Sequence, residues 1–150
     1  MSLALIVIDI QEKYMDKYDM GLVDRVNARI REAEKSGMEV IYVMNSGKNE
    51  HDPEYKLADK LFLVSNCIYE KHFPSAFTSE RFVGLLDSKS IREIELIGID
   101  GSSCVAKTAL DGVKKGYDVT VNLNCVSSIN DKIFNETIKR MAEEGIKIIR

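Results

Sequence analysis

Residues Leu3 to Ile10 read LALIVIDI, an apolar run rich in β-branched residues and broken only by Asp9. Continuous rather than alternating apolarity predicts a strand covered on both faces, as in a parallel sheet. From Leu22 to Lys35 the apolar positions Leu22, Val23, Val26, Ala28, Ile30 and Ala33 recur at near-helical spacing, and Gly37 stops that helix. Glu39 to Met44 is a second strand, Asn45 to Asp52 a polar loop, and Pro53 opens a short helix through Phe62. Asn66 to Glu70 is a third strand, and Ser79 caps a helix to Leu86. Glu93 to Ile99 is a fourth strand and Ser102 to Lys115 a helix ended by Gly116. Tyr117 to Leu123 is a fifth strand, Ile129 to Glu144 a last helix ended by Gly145, and Ile146 to Ile149 a sixth strand.

Strands alternating with helices imply an α/β protein with helices on both faces of a mostly parallel sheet. The expected architecture is a three-layer α/β/α Rossmann-like fold, a six-stranded sheet in the order 3-2-1-4-5-6, with residues 1–150 forming one domain. In open sheets of this kind ligands bind beyond the carboxyl ends of the strands, where the strand order reverses. That crevice lies between the first and fourth strands. Asp9 closes the first, and Cys104 opens the helix after the fourth, so topology alone brings them together.

Composition narrows the function. Lys and Arg number 21 against 24 Asp and Glu, a net charge of −3 with no basic stripe, so no nucleic-acid partner is expected. The N-terminal apolar run is too short to span a membrane and has neither the basic start nor the cleavage site of a signal peptide. Cys67, Cys104 and Cys125 are an odd number without metal-type spacing, which points to reduced thiols and a cytoplasmic location.

Three positions carry candidate chemistry. Cys104 sits in GIDGSSCVAKTALDG at the first turn of a helix, where unpaired amides favour a thiolate and can cradle an oxyanion; it can equally be a small buried packing residue. A lowered thiol pKa is expected there from the helix start and a nearby lysine, while the charge of Asp9 raises it and favours a thiol–carboxylate pair at rest; Cys67 and Cys125 are expected to be buried and inert. Asp9 ends an apolar strand, which is costly unless the carboxylate is paired or faces a cleft; it serves as a base or accepts loop amides. Lys71, in YEKHFPSAFTS, is either a solvated lysine or a cation that holds a carboxylate and favours a thiolate.

Taken together these segments resemble the isochorismatase-like cysteine hydrolases, the family of nicotinamidases and carbamoylsarcosine amidases. ALIVIDIQEKY, with Asp9, Gln11 and Tyr14, is similar to the family's opening strand; KHFPSAF to its lysine and Ser-Ala-Phe element; GIDGSSCV to its nucleophile segment; and NCVSSIN to the segment after the fifth strand. The resemblance runs in order over nearly the whole chain. It implies that Asp9 accepts the proton of Cys104, and that the thiolate attacks an amide or related C–N carbonyl to give a thioester. It also implies that Lys71 orients Asp9 and keeps its pKa low enough for this work, and that the amides of Asp100 and Cys104 hold the oxyanion beside a cis Ile99–Asp100 peptide. Tyr14, Gln11, Phe73 and Phe77 are the substrate-binding candidates by the same analogy, although Phe77 also reads as loop packing.

The sequence departs from the family pattern at Asp100 and Gly101, where relatives often carry a small residue followed by threonine. Asp100 either selects a positively charged substrate or caps the helix starting at Ser102, and capping is the simpler expectation. The only histidines are His51 and His72, and the loop Asn45 to Pro53 has no Asp-x-His, so neither a metal nor another cofactor is expected. The alternatives are an isochorismatase-type member without amidase activity and a non-catalytic binding or scaffold member. A nucleotide-binding domain is excluded because Gly98-x-x-Gly101 is neither G-x-G-x-x-G nor a Walker loop. A redox role fails for want of C-x-x-C. The expected partner is a small-molecule substrate, and the resemblance implies a homo-oligomer, a dimer or larger.

Overall fold

A computed structural model describes residues 3–150, so the first two residues of the expected 1–150 domain lie outside it. Six strands form one sheet in the order β3-β2-β1-β4-β5-β6: β1 Leu3–Ile8, β2 Glu39–Asn45, β3 Ile68–Lys71, β4 Glu93–Gly98, β5 Asp118–Val126 and β6 Lys147–Ile149. Each of its strand pairings is parallel. The helices are α1 Leu22–Lys35, α2 Glu80–Ser88, α3 Ala106–Lys114 and α4 Asp131–Glu143.

The continuous apolar run of β1 serves two cores. Ala4, Ile6 and Ile8 point to one face, where they meet Phe82 and Leu86 of α2, Ala106 and Ala109 of α3 and Met141 of α4. Leu5 and Val7 point to the other, against Leu22, Val26, Ile30 and Ala33 of α1 and the segment carrying Ala58 and Leu61. Successive strand side chains alternate between faces, so a strand buried on both must be apolar throughout. The expected layers, strand order and α1 limits match this arrangement.

Three expectations need correcting. The helix from Pro53 to Phe62 is a single turn, Pro53–Tyr55, because tertiary partners take the backbone groups that a helix would have used. The Ala58 N–H donates to the Ile10 carbonyl at 2.9 Å, and the Phe62 N–H donates to the Asn27 side-chain oxygen at 2.8 Å. The helix from Ser102 instead begins as a wide turn, Gly101–Val105, in which the Val105 N–H reaches five residues back to the Asp100 carbonyl at 3.1 Å. Finally, β3 runs from Ile68 to Lys71 rather than from Asn66 to Glu70, so Cys67 precedes it and Lys71 becomes its last residue. Among the described residues no helix is long and apolar enough to cross a membrane.

Candidate active site

The site forms where four strands end. Asp9 follows β1, Asn45 ends β2, Lys71 ends β3, and Cys104 lies in the wide turn after β4. Asp9 has φ +54°, a left-handed conformation uncommon outside glycine, and its N–H is anchored to the Val43 carbonyl at 2.8 Å. The neighbouring strand is held just as closely. Gly98 has φ +121°, and a Cβ there would run into the backbone of Ile8, so only glycine lets β4 pass β1 at this level. A Cβ on Gly101 would enter the Phe134 ring, which is why α4 can pack against the Cys104 turn.

Lys71 is fully enclosed, its side chain 0% exposed. Its ammonium donates to Asn45 Oδ1 at 2.7 Å, to Asp9 Oδ2 at 3.2 Å and to Cys104 Sγ at 3.5 Å, using all three of its donors. Asn45 Nδ2 also donates to Asp9 Oδ2 at 3.2 Å. The second carboxylate oxygen, Asp9 Oδ1, is buried without a hydrogen-bond partner among the described residues.

Burial outweighs Lys71 and the hydrogen bonds, and it raises the Asp9 pKa above the ordinary carboxylate value. Lys71 does pull it downward, and the enclosure that exceeds this pull is an addition to the expected picture. The Cys104 thiol is pushed up to about 11, first by burial and then by the charge of Asp9, with Lys71 opposing. The expected depressed thiol is therefore corrected. A helix start cannot favour a thiolate enclosed beside a carboxylate, and the resting pair is a thiol facing Asp9. Burial raises Cys125 to about 11 too, while Cys67 is half-buried rather than enclosed.

A cavity of about 160 Å³ opens onto the Cys104 sulfur and Asp9. Tyr14, Tyr18, Asn45 and Ser103 supply its neutral polar wall, and Ile99 and Asp100 complete it. The Ile99–Asp100 peptide is cis, and the Asp100 N–H has no acceptor among the described residues. Asp100 also caps the wide turn, its Oδ1 accepting the Ser102 N–H at 2.8 Å.

The substrate-binding candidates separate. Tyr14 lines the cavity. Gln11 does not: its amide is fully buried, donating to the carbonyls of Asn45 and Tyr55 and accepting the Asn45 N–H, so it pins β2 to the following loop. Phe77 belongs to the core, edge-on to Phe82 and tilted against Tyr117, with ring centroids 5.6 and 5.2 Å away. Phe73 is 65% exposed and lies outside the cavity wall. Sequence reasoning missed Asn45, Tyr18 and Ser103. Asn45 carries the same signal as Asp9, a polar residue closing an apolar strand, although the polar run that follows it makes it look like the first residue of a loop.

The donors beside Asp9 do not suit a metal ion. The cavity wall has no histidine, and the acceptor atoms Asp9 Oδ2 and Asn45 Oδ1 already face an ammonium. A larger cavity of about 470 Å³ lies on the outer side of β3, where ligand atoms of Glu50, His51 and Glu70 come within 4.8 Å of one another. The loop containing His51 offered no ligand set by itself, and β3 supplies the third member. Glu50 and His51 are solvent-exposed, and the Glu70 carboxylate already accepts the His51 N–H at 2.9 Å.

The family model of the isochorismatase domain matches residues 3–150. The chain belongs to the isochorismatase family. Within this hydrolase family its curated relatives include isochorismatase family protein 1B of Dictyostelium discoideum, 28% identical over 147 residues that cover 95% of this chain and 71% of the relative. Isochorismatase family protein 2B of the same organism is 23% identical over 95% of this chain and 70% of its own length. Among solved structures, the pyrazinamidase of Pyrococcus horikoshii in complex with zinc superposes with a TM-score of 0.89 at 20% identity, covering 100% of this chain and 99% of that one. The N-carbamoylsarcosine amidase of Thermoplasma acidophilum gives 0.83 at 24% identity, covering 100% and 96%. At these identities the superpositions establish the isochorismatase fold.

Proposed function

We propose that this isochorismatase-family protein is a cysteine-dependent hydrolase of a small amide or related C–N substrate, acting through a thioester. The observation that carries the proposal is one buried ammonium bonded to both Asp9 Oδ2 and Cys104 Sγ, while Asp9 Oδ1 stays unpartnered. Asp9 takes the thiol proton as the sulfur attacks the carbonyl carbon, so the negative charge passes from the carboxylate through the sulfur to the carbonyl oxygen only when the substrate is in place. The tetrahedral oxyanion forms against the N–H groups of Asp100 and Cys104. As it collapses, the C–N bond breaks and protonated Asp9 gives its proton to the departing nitrogen. Asp9 then removes a proton from a water, which attacks the thioester and returns the thiol. Lys71 holds the carboxylate in position and stabilises the thiolate by charge. Tyr14 forms part of the substrate wall.

The names of the structural neighbours, a pyrazinamidase and a carbamoylsarcosine amidase, agree with amide chemistry. Ammonia release from a panel of small amides is the test. A substrate turned over by the native protein and not by Cys104→Ala supports the assignment, and near-normal turnover by that variant removes it. We further expect a homo-oligomer, which light scattering at micromolar concentration checks; a monomer is the contrary result.

A further inference from the structure

We propose that the Cys104 cavity selects its substrate by charge through Asp100, taking compounds whose non-reacting end is uncharged or cationic and turning away those that carry a carboxylate. The word substrate rests on the hydrolase proposal above, whereas the charge preference belongs to the cavity whatever Cys104 does.

The charges around the cavity do not cancel. Its wall contains two carboxylates, Asp9 and Asp100, and no lysine, arginine or histidine. Lys71 lies beneath it and is opposed by Asp9 at 3.2 Å. Asp100 has no such partner: among the described residues no cation comes within ion-pair distance of it. Its carboxylate is instead held by four neutral donors. These are the Ser102 N–H at 2.8 Å, the Ser128 hydroxyl at 2.9 Å, the Tyr18 hydroxyl at 3.1 Å and the Ile129 N–H at 3.2 Å. Neutral donors fix a carboxylate's position and spread its charge without removing it.

A helix start would ordinarily supply the opposite field, since its free amides favour anions. Here three of those amides are occupied by the same residue. The Ser102 N–H goes to the Asp100 side chain, and the Ser103 and Val105 N–H groups go to its carbonyl at 3.1 Å each. Asp100 thus takes three of the turn's amides, leaving the Cys104 N–H for the oxyanion of the reacting carbonyl, while adding a negative charge of its own. The neighbouring phenol responds accordingly. Burial, then the charge and hydrogen bond of Asp100, push the Tyr18 hydroxyl well above its ordinary range. At about 160 Å³ the cavity is also smaller than the roughly 300–1,000 Å³ of common ligand pockets, so the two ends of a bound molecule lie close to Asp100 and Cys104 alike. Few charges separated by a few ångströms in a half-buried space escape each other's field. The capping role and the selecting role therefore coincide in one side chain.

The test uses the thiol as a probe and does not need a substrate. Methanethiosulfonate reagents of similar size, one with an ammonium and one with a sulfonate, are reacted with the native protein at low salt, and labelling of Cys104 is timed by mass spectrometry. Mercaptoethanol, an uncharged thiol, gives the reference ratio. The cationic reagent should be favoured at Cys104 by at least about fivefold beyond that reference, and the excess should shrink at high salt. Asp100→Asn, checked for folding by circular dichroism, should remove most of the excess. A ratio at or below the reference in the native protein overturns the proposal, as does an unchanged ratio in folded Asp100→Asn. If that variant does not fold, Asp100→Ser, whose hydroxyl can still cap the turn, takes its place and should lose the excess in the same way. A preference for the cationic reagent alongside full turnover by Cys104→Ala would leave the charge selection standing and sink only the hydrolase assignment. In an amide panel of matched size, carboxylate-bearing members should be the poorest substrates.

Discussion

Two acid–base pairs tie this sheet together, one half-buried and one wholly buried, and they are built differently. In the middle of the strands Glu95 of β4 meets Arg29 of α1 through two bonds, Nε to Oε2 at 2.7 Å and Nη2 to Oε1 at 2.8 Å. Asn122 of β5 donates to Oε2 at 3.1 Å, so both carboxylate oxygens are used. At the carboxyl ends, Asp9 receives Lys71 and Asn45 on one oxygen and, among the described residues, nothing on the other. A planar guanidinium suits bidentate closure of a structural pair, whereas an ammonium acts as a point charge that can be shared among neighbours. The first pair is saturated and can only hold α1 to the sheet. The second keeps one basic oxygen in reserve beside a thiol. An unsatisfied buried oxygen costs stability, and that cost makes sense where the oxygen has a proton to accept.

The comparison is broken most severely by removing the reserve oxygen or the thiol. Cys104→Ala and Asp9→Asn should each lower turnover at least about a thousandfold, because nucleophile and base act as one unit. Arg29→Met should do the reverse: turnover within about threefold of native, and unfolding free energy reduced by about 3 kcal/mol, since Glu95 is left buried and unpaired. Urea unfolding with a parallel activity assay separates the two. An activity collapse in folded Arg29→Met would mean the pairs are not independent.

Asn45→Ala comes next. It removes one bond to Asp9 and one acceptor for Lys71, so turnover should fall about ten- to a hundredfold with the acidic limb of the pH profile displaced, while Asn45→Asp alters that limb differently. The native pH profile sharpens the same point. A carboxyl whose pKa is raised by burial takes up its proton at a higher pH than an exposed one. Turnover that needs ionised Asp9 is therefore lost on acidification before the ordinary carboxylate range is reached. Iodoacetamide labelling of Cys104, which needs the thiolate, should keep rising with pH toward about 11 instead of levelling off near 8.5. Levelling near 8.5 would show that Asp9 and burial exert less influence than their positions imply.

The smallest effect belongs to Phe73→Ala. Its ring is exposed and outside the cavity wall, so turnover should change less than about twofold and stability by less than about 0.5 kcal/mol. A raised KM in this variant would show that the ring reaches the substrate.

Much of this architecture is written locally. Continuous apolarity in β1 and β2, helical periodicity in α1, and stops at Gly37, Gly116 and Gly145 predict the alternating order, and that order places Asp9 and Cys104 at adjoining strand ends. Packing is the simpler reading of Phe77 in the sequence, and the core position agrees with it; Gln11 differs, because proximity in sequence to Asp9 says nothing about which way a side chain turns. The Gln11 amide turns onto the backbone of β2 and its loop, and the Phe77 ring turns into the core.

What the sequence determined by itself were the elements, their order and the residue types available at the strand ends, because periodicity, caps and breakers act over a few residues. Only the tertiary structure decided the electrostatics. Lys71 is enclosed because β3 ends under the loop after β2, Asp9 is raised because four strand ends exclude water around it, and Cys104 follows Asp9 upward. Desolvation and charge coupling depend on everything packed within a few ångströms, and those neighbours come from residues 36, 62 and 95 positions apart in the chain, counted from Asp9 to Asn45, Lys71 and Cys104.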